Sequence, residues 1–247
     1  MKRLTKNQKI KISKFIKQGK SLNCISKNFG VGKTTIYYYM RKINGKKIKP
    51  IIIDKSDEQK IGEFIGLFAG DGSYFFEKYT HIHRIRIHLN KKEVDIIRHY
   101  SKVIEKLFGK SPNLVDEKYC VALELRSKEV INFIRTYLEW CDKKTYTVRL
   151  VKTYTPSKDF LMGFLRGLID SDGYVRRTSA EVHFGSTSVN LHKNFIDALT
   201  IMKIKSKCNT QITKSNRIFY HSRIAKDDAI RFISLVKPIK ASEPTGI

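Results

Sequence analysis

Two nine-residue stretches constrain this chain more than any other feature. The first reads Phe64-Ile65-Gly66-Leu67-Phe68-Ala69-Gly70-Asp71-Gly72, the second Leu165-Arg166-Gly167-Leu168-Ile169-Asp170-Ser171-Asp172-Gly173. Small residues recur every fourth position: Gly62, Gly66 and Gly70 in one, Gly163, Gly167 and Ser171 in the other. At 3.6 residues per turn each set lines one helix face. A glycine inside a helix costs roughly 1 kcal/mol relative to alanine. Repeating it on one face makes sense where a second backbone must approach closely, and the natural partner is the other glycine-lined helix. Such packing brings the two C-terminal ends side by side.

Each end carries Asp-Gly. The glycine suits a left-handed helix stop. The aspartate opposes the local macrodipole, which is already negative there. Two carboxylates brought together repel, and one stays protonated unless a positive charge intervenes. Asp71 and Asp172, with the backbone carbonyls of Gly70 and Ser171, offer the hard oxygen ligands that Mg2+ prefers, with Mn2+ as a substitute. The plain alternative, two unrelated surface turns, is disfavoured by the repetition.

The elements around these stretches repeat too. One unit starts with a helix near Asp57, the other near Ser157. Each continues with two strand-like runs, a helix, two more strand-like runs and a final helix. The first unit's later elements are expected at about 73–79, 82–90, 93–107, 113–126 and 127–139. The second unit's fall at about 174–178, 181–187, 190–203, 207–224 and 226–236. Ahead of them, residues 5–42 read as three short helices. Ile12, Phe15 and Ile16 give helical spacing; Gly19 ends the first helix, Ser21 caps the second, and Ile25 and Phe29 are its inward residues. After Gly30-Val31-Gly32 a third helix runs from Lys33 to about Lys42, with Ile36 and Met40 inward. Lys33, Thr34, Thr35, Tyr37, Tyr38 and Arg41 then face outward, as in a helix-turn-helix whose last helix reads DNA. Gly30–Thr35 imitates a phosphate-binding loop, but the glycine that pattern requires earlier is Lys27, and residues 21–29 have helical rather than strand periodicity.

The two stretches resemble the nine-residue motif that names the LAGLIDADG family, over about residues 57–245. The resemblance implies an α+β fold: a pseudo-symmetric pair of αββαββα half-domains whose motif helices form the internal interface and whose sheets form a DNA-binding saddle. With the helical module, the expected division is 1–45 helix-turn-helix, 46–56 linker, 57–150 first half and 151–247 second half. The resemblance makes Asp71 and Asp172 the catalytic, metal-binding acids of a DNA endonuclease. It leaves the sixth motif position, Ala69 and Asp170, without a catalytic part. It also implies one lysine per half near the reaction centre: Lys144 rather than Lys143, and Lys240 rather than Lys237.

Charge and strand pattern fit a polyanionic partner. The 247 residues carry a formal net charge of +26, and residues 1–50 hold 15 Lys or Arg and no acid. Such an excess repels itself in a compact state unless an anion offsets it. In 82–89, Ile85, Ile87 and Leu89 alternate with Arg84, Arg86 and His88. In 217–224, Ile218, Tyr220 and Ile224 alternate with Arg217, His221 and Arg223. The apolar sets should face the helices and the basic sets the open side, joined by Arg176, as a ribbon for a DNA groove. Glu124, on the polar side of its strand, either accepts from cytosine or keeps clear of a phosphate. His81-x-His83 reads as two side chains on one strand face rather than a metal pair. Cys24, Cys120, Cys141 and Cys208 show no zinc-type spacing, so structural thiols in a reducing compartment are expected.

The leading function is therefore a site-specific double-strand DNA endonuclease, a homing enzyme with both half-sites in one chain and hence a monomer. The alternatives are a DNA-binding regulator that kept the fold and lost cleavage, and an RNA maturase acting on intron RNA. An intein fragment is set aside because the C-terminus lacks a His-Asn pair. No apolar run spans a bilayer and no secretory signal is present, so a prokaryotic cytoplasm or an organellar matrix or stroma is expected.

Overall fold

The computed structural model describes residues 4–44, 51–176, 178–214 and 216–241. The chain separates into two compact units, Met1–Pro50 and Ile51–Ile247.

The first unit is three helices: α1 (Lys6–Lys17), α2 (Leu22–Phe29) and α3 (Lys33–Asn44). Thr5 and Gln8 form a reciprocal capping box at α1. The Ser21 hydroxyl accepts the Cys24 amide at 3.2 Å and starts α2. Gly30 ends α2 in the left-handed region at φ 60°. Ile12, Ile16, Ile25 and Ile36 are the buried core, sealed by an edge-to-face contact of Phe15 with Phe29. Phe29 and Met40 are only partly buried, because three short helices enclose little volume. The stretch preceding Gly30-Val31-Gly32 is helical, which removes the strand a phosphate-binding loop needs.

The second unit begins with α4 (Glu58–Asp71), β1 (Gly72–Glu77), β2 (Ile82–Asn90), α5 (Val94–Phe108), β3 (Asn113–Asp116), β4 (Cys120–Arg126) and α6 (Lys128–Tyr137). A short ribbon of β5 (Leu138–Glu139) and β6 (Arg149–Leu150) encloses the one-turn α7 (Lys144–Thr147). The second half repeats the order: α8 (Lys158–Asp172), β7 (Gly173–Arg176), β8 (Glu181–Ser186), α9 (Val189–Ile201), β9 (Lys207–Ile212), β10 (Ile218–Ala225) and α10 (Asp227–Val236), then a 3₁₀ turn at Ile239–Ala241. The two four-stranded antiparallel sheets have equivalent orders, β1-β2-β4-β3 and β7-β8-β10-β9. This is the expected αββαββα duplication. The ribbon, α7 and the 3₁₀ turn are additions that carry too little periodicity to be read beforehand. Residues 51–56, expected as linker, belong to the second unit: Ile51 and Ile53 pack on its core, and the Asp54 amide donates to the Leu107 carbonyl at 2.8 Å. Residues 46–50 of that expected linker lie outside the described residues.

The seam of the second unit is α4 against α8. A Cβ on Gly62 would sit 2.1 Å from the Phe160 carbonyl oxygen, and one on Gly66 2.2 Å from that of Phe164. A Cβ on Gly163 would meet the Gln59 carbonyl at 1.9 Å, and one on Gly167 the Glu63 carbonyl at 2.3 Å. The helices therefore touch backbone to backbone, and the other faces of both helices complete one continuous core.

Gly72 and Gly173 depart from expectation. Their backbones are extended (φ −79°, ψ 144°; φ −95°, ψ 169°), so neither is a left-handed stop. Each instead turns the chain straight from helix into β1 or β7. Glycine is needed there for space: a Cβ on Gly72 would lie 2.3 Å from the Phe68 ring, and one on Gly173 2.5 Å from Ile169 Cα.

Candidate active site and nucleic-acid face

The seam delivers Asp71 and Asp172 to neighbouring helix ends. Asp172 Oδ2 lies 2.9 Å from where a Cβ on Gly70 would be, so the second carboxylate rests against the first helix. Burial first, and then the charge of Asp172, push Asp71 up to about 7; Glu93 adds to this while Lys240 and Lys144 oppose it. Burial likewise raises Asp172, against Lys144 and Lys240. Two neighbouring acids at the negative ends of two helices, Asp71 half-buried and Asp172 exposed, form an electron-rich site that favours a cation. A cleft of about 150 Å³, lined by Gly70, Asp172, Thr145, Ser186 and Phe219 among others, opens beside them.

Both expected lysines reach these helix ends. Lys144 Nζ donates to the carbonyls of Phe68 (2.9 Å), Ala69 (2.6 Å) and Gly70 (3.1 Å), capping α4. Burial brings its ammonium down to about 8. Lys240 Nζ donates to Ser171 (2.7 Å) and Gly173 (3.2 Å), capping α8, and stands 3.6 Å from Glu93. The Gly70 and Ser171 carbonyls, expected to face a metal ion, are thus engaged by ammonium groups. A cation would share or contest them. The acid–lysine sets are equivalent: each helix end has its own aspartate, and each is capped by a lysine from its own half.

Four partners were not legible beforehand. Asp170, expected to stand apart from the chemistry, accepts the amides of Ile239 (2.8 Å) and Lys240 (3.2 Å) and the Tyr100 hydroxyl (2.9 Å). It is 1% exposed, and burial raises its carboxyl to about 6 despite those bonds. Glu63, 2% exposed on α4, accepts from Arg166 Nη1 of α8 at 2.7 Å; His99 Nε2 is 2.7 Å from its other oxygen. Glu93, just before α5, faces Lys240 and the field of Asp71. No periodicity marks Asp170 or Glu93; a charged residue inside each apolar motif helix, Glu63 and Arg166, is the one signal that could have been read.

The sheets carry the basic rows. Ile85, Ile87 and Leu89 of β2 are buried, and Arg84, Arg86 and His88 lie on the opposite face. Glu124 is not a free acceptor for a base. It is 1% exposed and takes Arg86 Nε and Arg126 Nε, both at 2.7 Å, with Arg84 Nε at 3.5 Å. Burial pushes its carboxyl up, but these arginines outweigh that and hold it below the ordinary range. In the second sheet Glu181 plays the same part for Arg223, His183 (3.1 Å) and Arg176 (3.7 Å). His221 lies between His183 (3.2 Å) and Asn209 (3.1 Å).

The β10 expectation needs correction. Ile218 is 51% exposed because the strand end overruns the core, and the inward row is Tyr220, Ser222 and Ile224. Ser222 is buried with its hydroxyl 2.7 Å from His192 Nε2, a polar pair the apolar pattern could not announce. Arg217 precedes the strand, with its guanidinium 3.9 Å from the Tyr146 ring centre on α7. His81 is not beside His83 on a strand face: it sits in the β1–β2 turn at φ 53°, whereas His83 is 2.9 Å from the Tyr74 hydroxyl. In the first unit Lys33, Thr34, Tyr37, Tyr38 and Arg41 are exposed and Thr35 half-buried.

Two equivalent sheets carried on a glycine-lined helix pair, with an aspartate at each helix end, make up the LAGLIDADG fold. The family model described as a LAGLIDADG-like domain matches residues 159–237, within the second half of the second unit. The homing endonuclease I-DmoI, in its complex with DNA and Mn, has a similar fold at a TM-score of 0.57 and 14% identity, over 73% of this chain and 97% of that one. I-DmoI has also been solved with DNA and Ca. The N-terminal LAGLIDADG domain of DUF199/WhiA is similar at a TM-score of 0.51 and 14% identity, over 73% of this chain and 82% of that one. Two curated relatives come from Methanocaldococcus jannaschii. A glutamine–fructose-6-phosphate aminotransferase is 25% identical over 142 residues, 56% of this chain but 12% of that protein's length. An uncharacterised protein is 22% identical over 94% of this chain and 85% of its own length.

Proposed function

We propose that the chain is a divalent-metal-dependent, site-specific double-strand DNA endonuclease with both half-sites in one polypeptide. The observation that carries this reading is the acid pair. Two aspartates stand at adjoining helix ends, where desolvation and the charge of Asp172 raise the cost of ionising Asp71, and each helix end is capped by a lysine. A protein that only grips DNA gains nothing from such an arrangement. Asp71 and Asp172 would hold the Mg2+ or Mn2+, with the Gly70 and Ser171 carbonyls as shared ligands. A bound divalent ion neutralises the scissile phosphate and makes a coordinated water easier to deprotonate.

The chain's own residues do the rest. The seam sets the spacing of the two carboxylates. Lys144 and Lys240 place an ammonium beside each, where it can steady a phosphate oxygen or orient the attacking water. The arginines of β2 and β10 and Arg176 would grip the duplex, and the exposed face of α3 would act as the reading helix of a helix-turn-helix. The similarity to I-DmoI bound to DNA and Mn supports this reading at the level of fold.

The deciding experiment is cleavage of a randomised duplex library with Mg2+ by wild type, Asp71→Asn and Asp172→Asn. Double-strand breaks at a long asymmetric site, lost in both variants while binding persists, support the endonuclease. A second reading, a DNA-binding regulator without cleavage, is favoured by one observation: the lysines already satisfy the carbonyls a metal would use. Specific binding without cutting in Mg2+ or Mn2+ would select it. Binding of structured intron RNA in preference to duplex DNA would select a maturase. Two half-sites in one chain predict a monomer in solution.

A further inference from the structure

On the open face of the first sheet, three side chains from separate positions meet. His88 lies on β2, and Glu117 and Cys120 frame the turn from β3 to β4, which the Glu117 amide closes by donating to the Cys120 carbonyl at 3.0 Å. His88 pairs with Ala122, two residues along β4 from Cys120, so the two are diagonal neighbours on one face. Cys120 Sγ is 3.3 Å from Glu117 Oε2 and 3.8 Å from His88 Nδ1, and His88 Nδ1 is 3.4 Å from Glu117 Oε2.

That triangle has the dimensions of one face of a coordination tetrahedron. Ligand bonds of about 2.0–2.3 Å at tetrahedral angles require ligand atoms about 3.3–3.6 Å apart. The outward-turned atoms of the same groups are already occupied. His88 Nε2 is 3.2 Å from the Ser73 hydroxyl, and Glu117 Oε1 accepts Arg86 Nη1 at 3.0 Å. Such outer partners fix a ligand's orientation in metal sites. Nδ1, Oε2 and Sγ are left converging on one another. A carboxylate and a thiolate would balance a dipositive charge.

We infer that His88, Glu117 and Cys120 form a site for a zinc-class divalent ion, separate from the paired aspartates. A thiolate–imidazole–carboxylate set selects zinc-like ions over magnesium, which prefers oxygen alone. Three protein ligands leave a fourth position, and the ligand side chains are accessible, His88 at 34% and Glu117 at 31%. The ion would lie on the face that carries Arg84 and Arg86 and offer its open position to water or to an oxygen or nitrogen donor of a nucleic acid. The site does not depend on the endonuclease reading. His88 is remote in sequence from Glu117 and Cys120, and the set holds a single cysteine, which is why no cysteine spacing announced it.

The test uses the full chain, stripped with chelator and titrated with Co2+ in excess Mg2+, with metal content checked by elemental analysis. The expected result is one equivalent of Co2+ with a near-ultraviolet thiolate charge-transfer band, bleached stoichiometrically by Zn2+. Cys120→Ser should abolish the band, and Cys208→Ser, an exposed thiol on β9, should leave it intact. Ser73→Ala, with native circular dichroism, should weaken binding by about 10–100-fold, the usual cost of losing an outer partner; His88→Ala should weaken it more. A wild-type protein that shows no thiolate band, or a band that survives Cys120→Ser, would overturn the site and leave the cluster as a hydrogen-bonded triad.

Discussion

Asp170 holds Lys240 by its backbone: the carboxylate accepts the Lys240 amide at 3.2 Å and the Ile239 amide at 2.8 Å, while the lysine ammonium reaches back to the Ser171 carbonyl. The motif helix therefore positions its own capping lysine. Asp170→Ala should free the 3₁₀ turn and let Lys240 leave the helix end. The expected outcome is a cleavage rate constant lowered by about tenfold, some 1.4 kcal/mol of barrier, with DNA affinity little changed. Single-turnover kinetics beside a binding titration would separate the two; an equal loss of binding would remove the positioning role.

Glu63 and Arg166 tie the two motif helices through a buried ion pair. Removing Glu63 alone leaves a guanidinium, 14% exposed, facing a vacated carboxylate position. Glu63→Ala should cost about 3–5 kcal/mol in denaturant unfolding, while Glu63→Leu combined with Arg166→Met should recover much of it. A loss below about 1 kcal/mol for the single variant, the range of solvated surface pairs, would show that the pair is solvated in solution.

The backbone contact at the seam leaves no room for a methyl group. Gly66→Ala and Gly167→Ala each drive a Cβ into a carbonyl oxygen, at 2.2 and 2.3 Å. Each should lower stability by roughly 1–3 kcal/mol or more. Because the seam also sets the carboxylate spacing, Mg2+ affinity should fall with it. Thermal unfolding with and without Mg2+ measures both.

Asp71 supplies a pH dependence whose sign can be worked out. Its folded value of about 7 lies above its unfolded value of 3.8, so between those limits the folded state holds a proton that the unfolded state has lost. Without metal, this group's contribution to stability falls as pH rises from about 4 to about 7. An ion bound by the ionised carboxylate reverses that loss. The gain in Tm on adding Mg2+ should be small near pH 5, grow toward pH 7 and then level off. A gain independent of pH would show that Asp71 does not bind the ion.

The exposed basic residues of α3 should act through the salt dependence of DNA binding. Each phosphate neutralised contributes about −0.9 to the log–log slope of affinity against salt. Lys33→Ala with Arg41→Ala should flatten the slope by up to about two such steps while leaving Mg2+-dependent cleavage chemistry unchanged. An unaltered slope would detach this helix from DNA.

The legible part of the molecule is the part with a period. Four-residue glycine spacing announced the seam, and the alternation of Ile85, Ile87 and Leu89 with Arg84, Arg86 and His88 announced the exposed row of β2. The missed features lack one. Gly72 and Gly173 looked like helix stops because Asp-Gly after a helix usually is one; the spatial reason, Phe68 and Ile169 packed beneath them, exists only after folding. Glu124 stayed open between accepting from a base and keeping clear of a phosphate because its three arginine neighbours lie on two strands. Asp170 looked idle because its partners Tyr100, Ile239 and Lys240 come from a helix of the other half and from the last described turn.

The glutamates on an inner strand of each sheet, Glu124 on β4 and Glu181 on β8, mean that the protein carries its own stand-ins for phosphate. Any anion that claims Arg86 or Arg223 must first outcompete an internal carboxylate, and in the first sheet that carboxylate is too enclosed to be rehydrated cheaply. Loose contact with a duplex would not meet that threshold, whereas a well-fitted one, engaging several guanidiniums at once, would. The sheets are in this sense preloaded with a competitor, so on a duplex-binding face the general attraction of excess positive charge would be filtered by fit.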